Sequence, residues 1–393
     1  MKITAINTYL MHCAPPEAGG WSARNWLFVK VETDEGIYGV GEASGWPRVV
    51  ETAIHDLTPL MLGEDPFHID RLWSKMQAAI MGHGMTGVVG GGAMSGIEMA
   101  LWDIKGKALG LPVWNLLGGK IRDKVRIYTH AHEPERAREL VDSGYTALKT
   151  GGVKNCIDSV ESIRKEGGLG VDIMVDVHGP PWLTTRDAIA LGQALEEYDL
   201  LFYEDPVAPE NIEAIARVSD AVDIPIAAGE RHAGIWGVKE LIEREIIDVV
   251  QPDTGRAGGL TVMKKIAAMG EAHFCTIAPH DGSLGPVAEM AAVHLMATVP
   301  NFLILEHLAD DVPQRYEVMT GQPEIVDSHI VVPDAPGFGI DIVEEAIARY
   351  PSQGNIAIPD SRDDYQYIQA RQPRSVWLSG KEPPPDYRPG QIF

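Results

Sequence analysis

The chain has 393 residues, 45% of them hydrophobic, which is enough to bury one large barrel-sized domain and a smaller one. Its formal charge of −23 disfavours nucleic acid and anionic membrane as partners, but leaves open a small anionic substrate held through a divalent cation. Three cysteines (Cys13, Cys156, Cys275) without ligand spacing, no apolar run near the roughly 18 residues of a membrane helix, and no secretory pattern at MKITAINTYL together predict a soluble cytoplasmic protein.

The first 120 residues read as a small α+β domain. Met1–Leu10 and Trp26–Glu42 alternate like strands, the second broken by a turn at Asp34-Glu35-Gly36. Apolar helical patterns follow at Trp46–Met61 and Phe67–Ile80. The glycine-rich passage MGHGMTGVVGGGAM then reads as a mobile loop before a third helix, Gly96–Leu109. That passage has no GK[ST] ending and no buried strand before it, so it is not a phosphate cradle.

From about Lys124 short apolar strands alternate with helices. The strands are predicted at Arg126–Thr129, Ala147–Thr150, Asp172–Val177, Leu201–Glu204, Ile224–Ala228, Asp248–Gln251, Cys275–Ala278 and Phe302–Leu305. Helices are predicted at Cys156–Glu166, Thr185–Tyr198, Ile212–Val222, Trp236–Glu243, Leu260–Met269 and Ser283–Thr298. Eight strands so spaced are the signature of a parallel barrel; an open doubly wound sheet is the runner-up, but no GxGxxG follows its first strand. A hairpin is expected at Glu324–Val326 and His329–Val332, and residues 351–393 form a Pro-rich tail, predicted to be extended. The domains expected are thus 1–120, 121–350 and the tail.

A barrel's active site lies at the C-terminal ends of its strands. The polar residues there are Lys149, Asp176, His178, Glu204, Glu230, Asp253, His280 and Glu306. Asp176, Glu204 and Glu230 fall on consecutive strands, about one βα unit apart. Converging carboxylates repel unless a hard cation joins them, and an all-oxygen set suits Mg²⁺; the bland alternative is that one or two merely cap the following helices. Asp253 and His280 end adjacent strands, where a carboxylate can fix the tautomer of an imidazole and make it a general base. Alternation turns His178 the same way as Asp176, although it could be a structural histidine. Glu306 could hydrogen-bond beside a substrate carboxylate. Lys149 could be catalytic, electrostatic, or simply paired with a metal-site acid.

The strings VDVHG, YEDP, AAGER, QPDTGRAGGL, APHDGSLGP and LEH, with SGIEMALWDIKGKALGLPVWNLLGG before them, resemble the enolase superfamily, mandelate racemase/muconate lactonizing enzyme branch. The resemblance covers the chain to about Tyr350. It implies an N-terminal α+β capping domain on a (β/α)7β TIM-like barrel, Mg²⁺ on Asp176, Glu204 and Glu230, and removal of the proton α to a carboxylate. It also implies a homo-oligomer, dimer or octamer. Many branch members carry Lys-x-Lys on the second strand, the second lysine being a base; here the run is Lys149-Thr150-Gly151, so that base is absent.

One base (His280 with Asp253) and one acid (His178) suit elimination of water from an acid sugar, giving a 2-keto-3-deoxy acid. The placement of His178 is similar to galactonate and mannonate dehydratases. GFGIDIVEEAIARYP, with Tyr128, is similar to mannonate dehydratase, in which a tyrosine joins the base chemistry. The expected substrate is an aldonate of galactonate, mannonate or gluconate type. Its distal end would meet Trp21 and Arg24 on the Pro15–Arg24 loop and His83 on the glycine-rich loop; Trp21 and Arg24 could equally be surface or subunit contacts. The alternatives are a cycloisomerase or epimerase working through the same enolate, and, from another class, a non-catalytic oligomeric scaffold.

Overall fold

The structure, a computed structural model, describes residues 1–13, 24–82, 87–152, 156–177, 179, 182–309 and 312–352. Trp21, His83, His178 and residues 353–393 of the tail therefore lie outside the described residues. In chain order the elements are β1 Ile3–His12, β2 Asn25–Thr33, β3 Tyr38–Ala43, α1 Pro47–Met61, α2 Ile69–Met81, α3 Val88–Leu109, α4 Val113–Leu116, β4 Lys124–His130, α5 Pro134–Asp142, β5 Ala147–Gly151, α6 Cys156–Gly167, β6 Asp172–Asp176, α7 Thr185–Leu195 and β7 Phe202–Glu204. They continue as α8 Ile212–Ser219, β8 Ile226–Ala228, α9 Gly234–Glu243, β9 Val249–Val250, α10 Leu260–Ala272, β10 Thr276–Ile277, α11 Pro286–Met296 and β11 Leu305–Glu306. The chain closes with α12 Gln314–Glu317, β12 Met319–Thr320, β13 Ile325–Val326, β14 His329–Val331, β15 Asp341–Ile342 and α13 Glu344–Ile347. No helix among the described residues is long and apolar enough to cross a membrane.

Two compact units account for the described residues: one holds Met1–Arg126, Gly229–Lys239 and 251–352, the other Ile127–Ala228 and Glu240–Val250. In the first unit β1, β2 and β3 form an antiparallel sheet, with Tyr9 opposite Phe28 and Phe28 opposite Glu42. The predicted turn is present, with Gly36 at φ 77, a left-handed conformation that glycine adopts without steric cost. Leu27, Val29 and Val31 alternate onto the core face. They share a cluster with Val50, Ile54, Leu57 and Met61 of α1 and Ile97, Leu101 and Ile104 of α3.

The glycine-rich passage departs from expectation. From Val88 onward it is helical, so its triple glycine belongs to α3 and not to a mobile loop. The reason is close approach: a Cβ at Gly91 would lie 2.2 Å from the Arg256 carbonyl oxygen, and one at Gly92 would lie 2.2 Å from that of Ser44. Facing them, Gly39 and Gly41 on β3 leave room for the backbone of α3, since Cβ atoms there would fall 2.1 Å from Ala100 O and 2.0 Å from Gly96 O. Glycine lowers helix propensity by about 1 kcal/mol per residue, and here tertiary packing overrides it.

Elsewhere in this unit Asp253 bridges His280 and Ile277 bridges Phe302, both in parallel. The predicted hairpin is β13–β14, whose second strand also runs antiparallel to the start of β4 through Ile330 and Val125. In the second unit β4 to β9 form consecutive parallel pairs. The sequence reading omits α5, whose PERARELVD is mostly polar and buries only Ala137 and Leu140.

Candidate active site

The register of the second unit sets its part of the site. Gly151 pairs with Asp176 across β5 and β6, and Asp176 pairs with Glu204 across β6 and β7. Two carboxylates on adjacent strand ends, with Glu204 1% exposed, need a compensating cation. Lys149 supplies it, its Nζ lying 3.0 Å from Glu204 Oε2 and 3.5 Å from Asp176 Oδ2. Lys149 is itself buried, and its ammonium stands 5.5 Å from the centre of the Tyr128 ring. Lys149 is thus ion-paired with both acids.

Gly151 is fixed by sterics. A Cβ there would lie 2.7 Å from the Asp176 carbonyl oxygen, which already accepts a hydrogen bond from Gly152 N at 2.8 Å. No side chain, and so no lysine, fits at this position without shifting the strand that carries Asp176. His132 lies close by, with Nδ1 3.5 Å from Thr150 Oγ1. Burial first, and then the neighbouring His130, hold its pKa below the usual imidazole value.

The first unit holds the other cluster. Gly229, at φ 147 and pressed on the Gln251 backbone, precedes Glu230. His280 Nδ1 lies 2.8 Å from Asp253 Oδ2, and its Nε2 lies 3.6 Å from both Glu230 Oε1 and Glu306 Oε2. With Asp253 accepting from Nδ1–H, the lone pair of the neutral ring is on Nε2. Burial pulls the imidazole pKa down, but Glu230, Glu306 and the Asp253 bond outweigh it and raise it to about 10. Glu306 Oε2 accepts from the backbone N–H groups of Asp281 and Gly282, at 3.0 and 2.8 Å. Arg24 reaches the same turn, donating to the Gly282 carbonyl at 3.4 Å.

Arg256, not among the residues expected from the sequence, organises this cluster. Its Nη1 donates to Glu230 Oε1 at 2.8 Å, its Nε lies 3.2 Å from Asp253 Oδ2, and it also bonds the hydroxyls of Ser44 and Ser283. The available signal was a cation three residues past Asp253, in the loop that leaves the strand end.

Among the described residues no three His, Cys, Asp or Glu side chains already form an ion-holding cluster. Each carboxylate instead faces a cationic side chain: Lys149 for Asp176 and Glu204, Arg256 for Glu230. The donors nonetheless fit a hard divalent ion. They are all oxygen, and in Asp176 and Glu204 two stand in register beside the Lys149 ammonium.

Residues 133–346 match the family described as Enolase C-terminal domain-like. Residues 11–118 match the Mandelate racemase / muconate lactonizing enzyme, N-terminal domain. The chain belongs to this branch of the enolase superfamily, and its fold is the (β/α)7β barrel with an N-terminal capping domain.

Among its relatives, a D-galactonate dehydratase of Ralstonia pickettii (strain 12J) is 36% identical over 380 residues, spanning 88% of this chain and 94% of that protein. One of Pectobacterium atrosepticum is 34% identical over 373 residues, with the same coverage. Among solved structures, the 3,6-anhydro-D-galactonate cycloisomerase from Zobellia galactanivorans superposes with a TM-score of 0.83 at 31% identity, over 90% of this chain and 100% of that one. These relatives place the chain among the enzymes, as a hydro-lyase.

Proposed function

We propose that the protein is an acid-sugar dehydratase that removes the C2 proton of an aldonate and expels the C3 hydroxyl. The observation that carries the reading is the buried Asp253–His280 pair at 2.8 Å, which leaves Nε2 as the basic atom. Asp176, Glu204 and Glu230 would hold Mg²⁺, whose charge would acidify the C2 proton of a bound carboxylate substrate. With Glu230 committed to a cation, its pull on the His280 proton weakens, and Nε2 becomes available as a base nearer neutral pH.

Nε2 takes the C2 proton. The C–H electron pair becomes the C2–C3 double bond, and the C3–O bond breaks as His178 delivers a proton, releasing water. The enol so formed tautomerises to the 2-keto-3-deoxy acid. Gly151 supports elimination over racemisation, since the position used for a second base admits no side chain. Galactonate-type aldonates are the first substrates to try, because the curated relatives act on D-galactonate.

The test is a set of aldonates and aldarates assayed with Mg²⁺ for a semicarbazide-reactive product. Failure with every acid sugar would refute the reading. A second reading, cycloisomerisation of an anhydro-sugar acid, is favoured by the likeness to the Zobellia enzyme. His178→Asn separates the two: dehydration needs the acid, and an isomerisation in which His178 takes no part survives its loss.

A further inference from the structure

Four residues separate the proposed base, His280, from Gly285, the N-cap of α11. Helix α11 has no side-chain cap of its own, because Gly285 occupies the capping position and Pro286 follows it. The cap comes from the antiparallel sheet instead. Glu42, on β3 and 1% exposed, accepts from Gly285 N through Oε1 at 2.5 Å and from Ala288 N through Oε2 at 3.1 Å. A carboxylate at a helix N-terminus satisfies orphan N–H groups and complements the helix dipole.

Its strand cannot easily shift, because Gly39 and Gly41 are seated on the backbone of α3. Arg315 holds the other side of the helix start, donating to Leu284 O at 3.0 Å and to Glu289 Oε2 at 3.2 Å. The segment between base and helix is thus tied at both ends, by Glu306 at residues 281 and 282 and by Glu42 at residue 285.

We propose that Glu42 is a positioning residue: through the start of α11 it fixes where His280 stands against Asp253, so that the small domain sets the geometry of proton abstraction. The proposal rests on the dehydratase reading for its kinetic test but not for its spectroscopic one. Glu42→Ala removes the tether and the helix cap together. Gly285→Ser in the same chain returns a cap without the tether. A Cβ at Gly285 would meet Glu42 Oε1 and Oε2 at 2.9 Å and Trp26 Cδ2 at 3.0 Å, so shortening Glu42 removes the two closest contacts and the serine then needs only a small shift of the Trp26 ring.

The experiment compares wild type, Glu42→Ala and Glu42→Ala/Gly285→Ser by Tm, kcat, KM, the C2 deuterium isotope effect, and the downfield His280 Nδ1–H proton resonance. That resonance is assigned by its loss in His280→Asn. Glu42→Ala should lower kcat about 100-fold, the cost of misplacing a reacting group by about 1 Å, with KM within about threefold and a larger isotope effect. The double variant should regain Tm but neither kcat nor the wild-type resonance. An unchanged kcat in Glu42→Ala, or recovery of kcat and resonance along with Tm, would overturn the proposal. If wild type turns over no acid sugar, the dehydratase reading falls, and the resonance alone decides for Glu42: shifted or broadened in both variants supports it, unchanged refutes it.

Discussion

Asp176 and Glu204 stand in register on neighbouring strands and share one ammonium, that of Lys149. Glu230, Asp253 and Glu306 are arranged otherwise, interleaved with Arg256 and His280 and tied by hydrogen bonds to Ser44, Ser283 and the turn after His280. In the first cluster both acids are compensated by the Lys149 ammonium. In the second they are wired to an imidazole whose tautomer they set. The difference suits a division of labour, with Asp176 and Glu204 for holding charge and Asp253 and His280 for moving a proton.

The largest effect should come from the second cluster. His280→Asn keeps a polar side chain but no base, and turnover should fall about 10⁴-fold with the fold intact by circular dichroism. In the first cluster, Lys149→Met takes the ammonium away from buried Glu204 and partly buried Asp176. The apo protein should lose on the order of 3 kcal/mol by denaturant melt. Saturating Mg²⁺ should recover most of that loss, and a loss equal with and without Mg²⁺ would break the charge-holding half of the comparison.

Gly151→Ala presses a methyl on the carbonyl of Asp176 and should weaken Mg²⁺ binding by about 10- to 100-fold in calorimetry, as expected when support behind a ligand is disturbed. The smallest effect lies outside both clusters. His294 accepts from Trp114 N at Nδ1 and donates from Nε2 to the Phe338 carbonyl, and burial holds its pKa down to about 4. The unfolded chain then binds the extra proton between its ordinary value of 6.5 and about 4, so stability is lost as pH falls through that window. Between pH 6 and pH 5 this amounts to about 1 kcal/mol, and His294→Gln should flatten that slope in urea melts.

Much of this was legible in the sequence because barrel strands are short apolar runs whose last residues face the site. That rule singles out Lys149, Asp176, Glu204, Glu230, Asp253, His280 and Glu306, of which the structure groups Lys149 with Asp176 and Glu204, and His280 with Glu230, Asp253 and Glu306. The Asp253–His280 bond was legible as adjacency of strand ends, and the turn at Gly36 as local chemistry. What escaped depends on contacts distant in the chain. Glycine propensity argued against a helix at 90–92, yet the carbonyls of Ser44 and Arg256 require glycine there. Gly151 read as a missing lysine, and only the strand beside it shows why no side chain is admitted. Arg256 offers one local sign, its place three residues past Asp253, but its contact with Ser44 spans 212 residues and that of Glu42 with Gly285 spans 243, and no local pattern marks either contact. Helix α5 was missed because its buried face is two residues wide.

In the proposed reaction His280, set by Asp253, removes the C2 proton of an acid sugar. Turnover of an aldonate in D₂O with Mg²⁺, read by NMR of the product, addresses it most directly. Wild type should give a 2-keto-3-deoxy acid carrying one deuterium at C3, and His280→Asn neither product nor C2 exchange. Product formation by His280→Asn at the wild-type rate would contradict it.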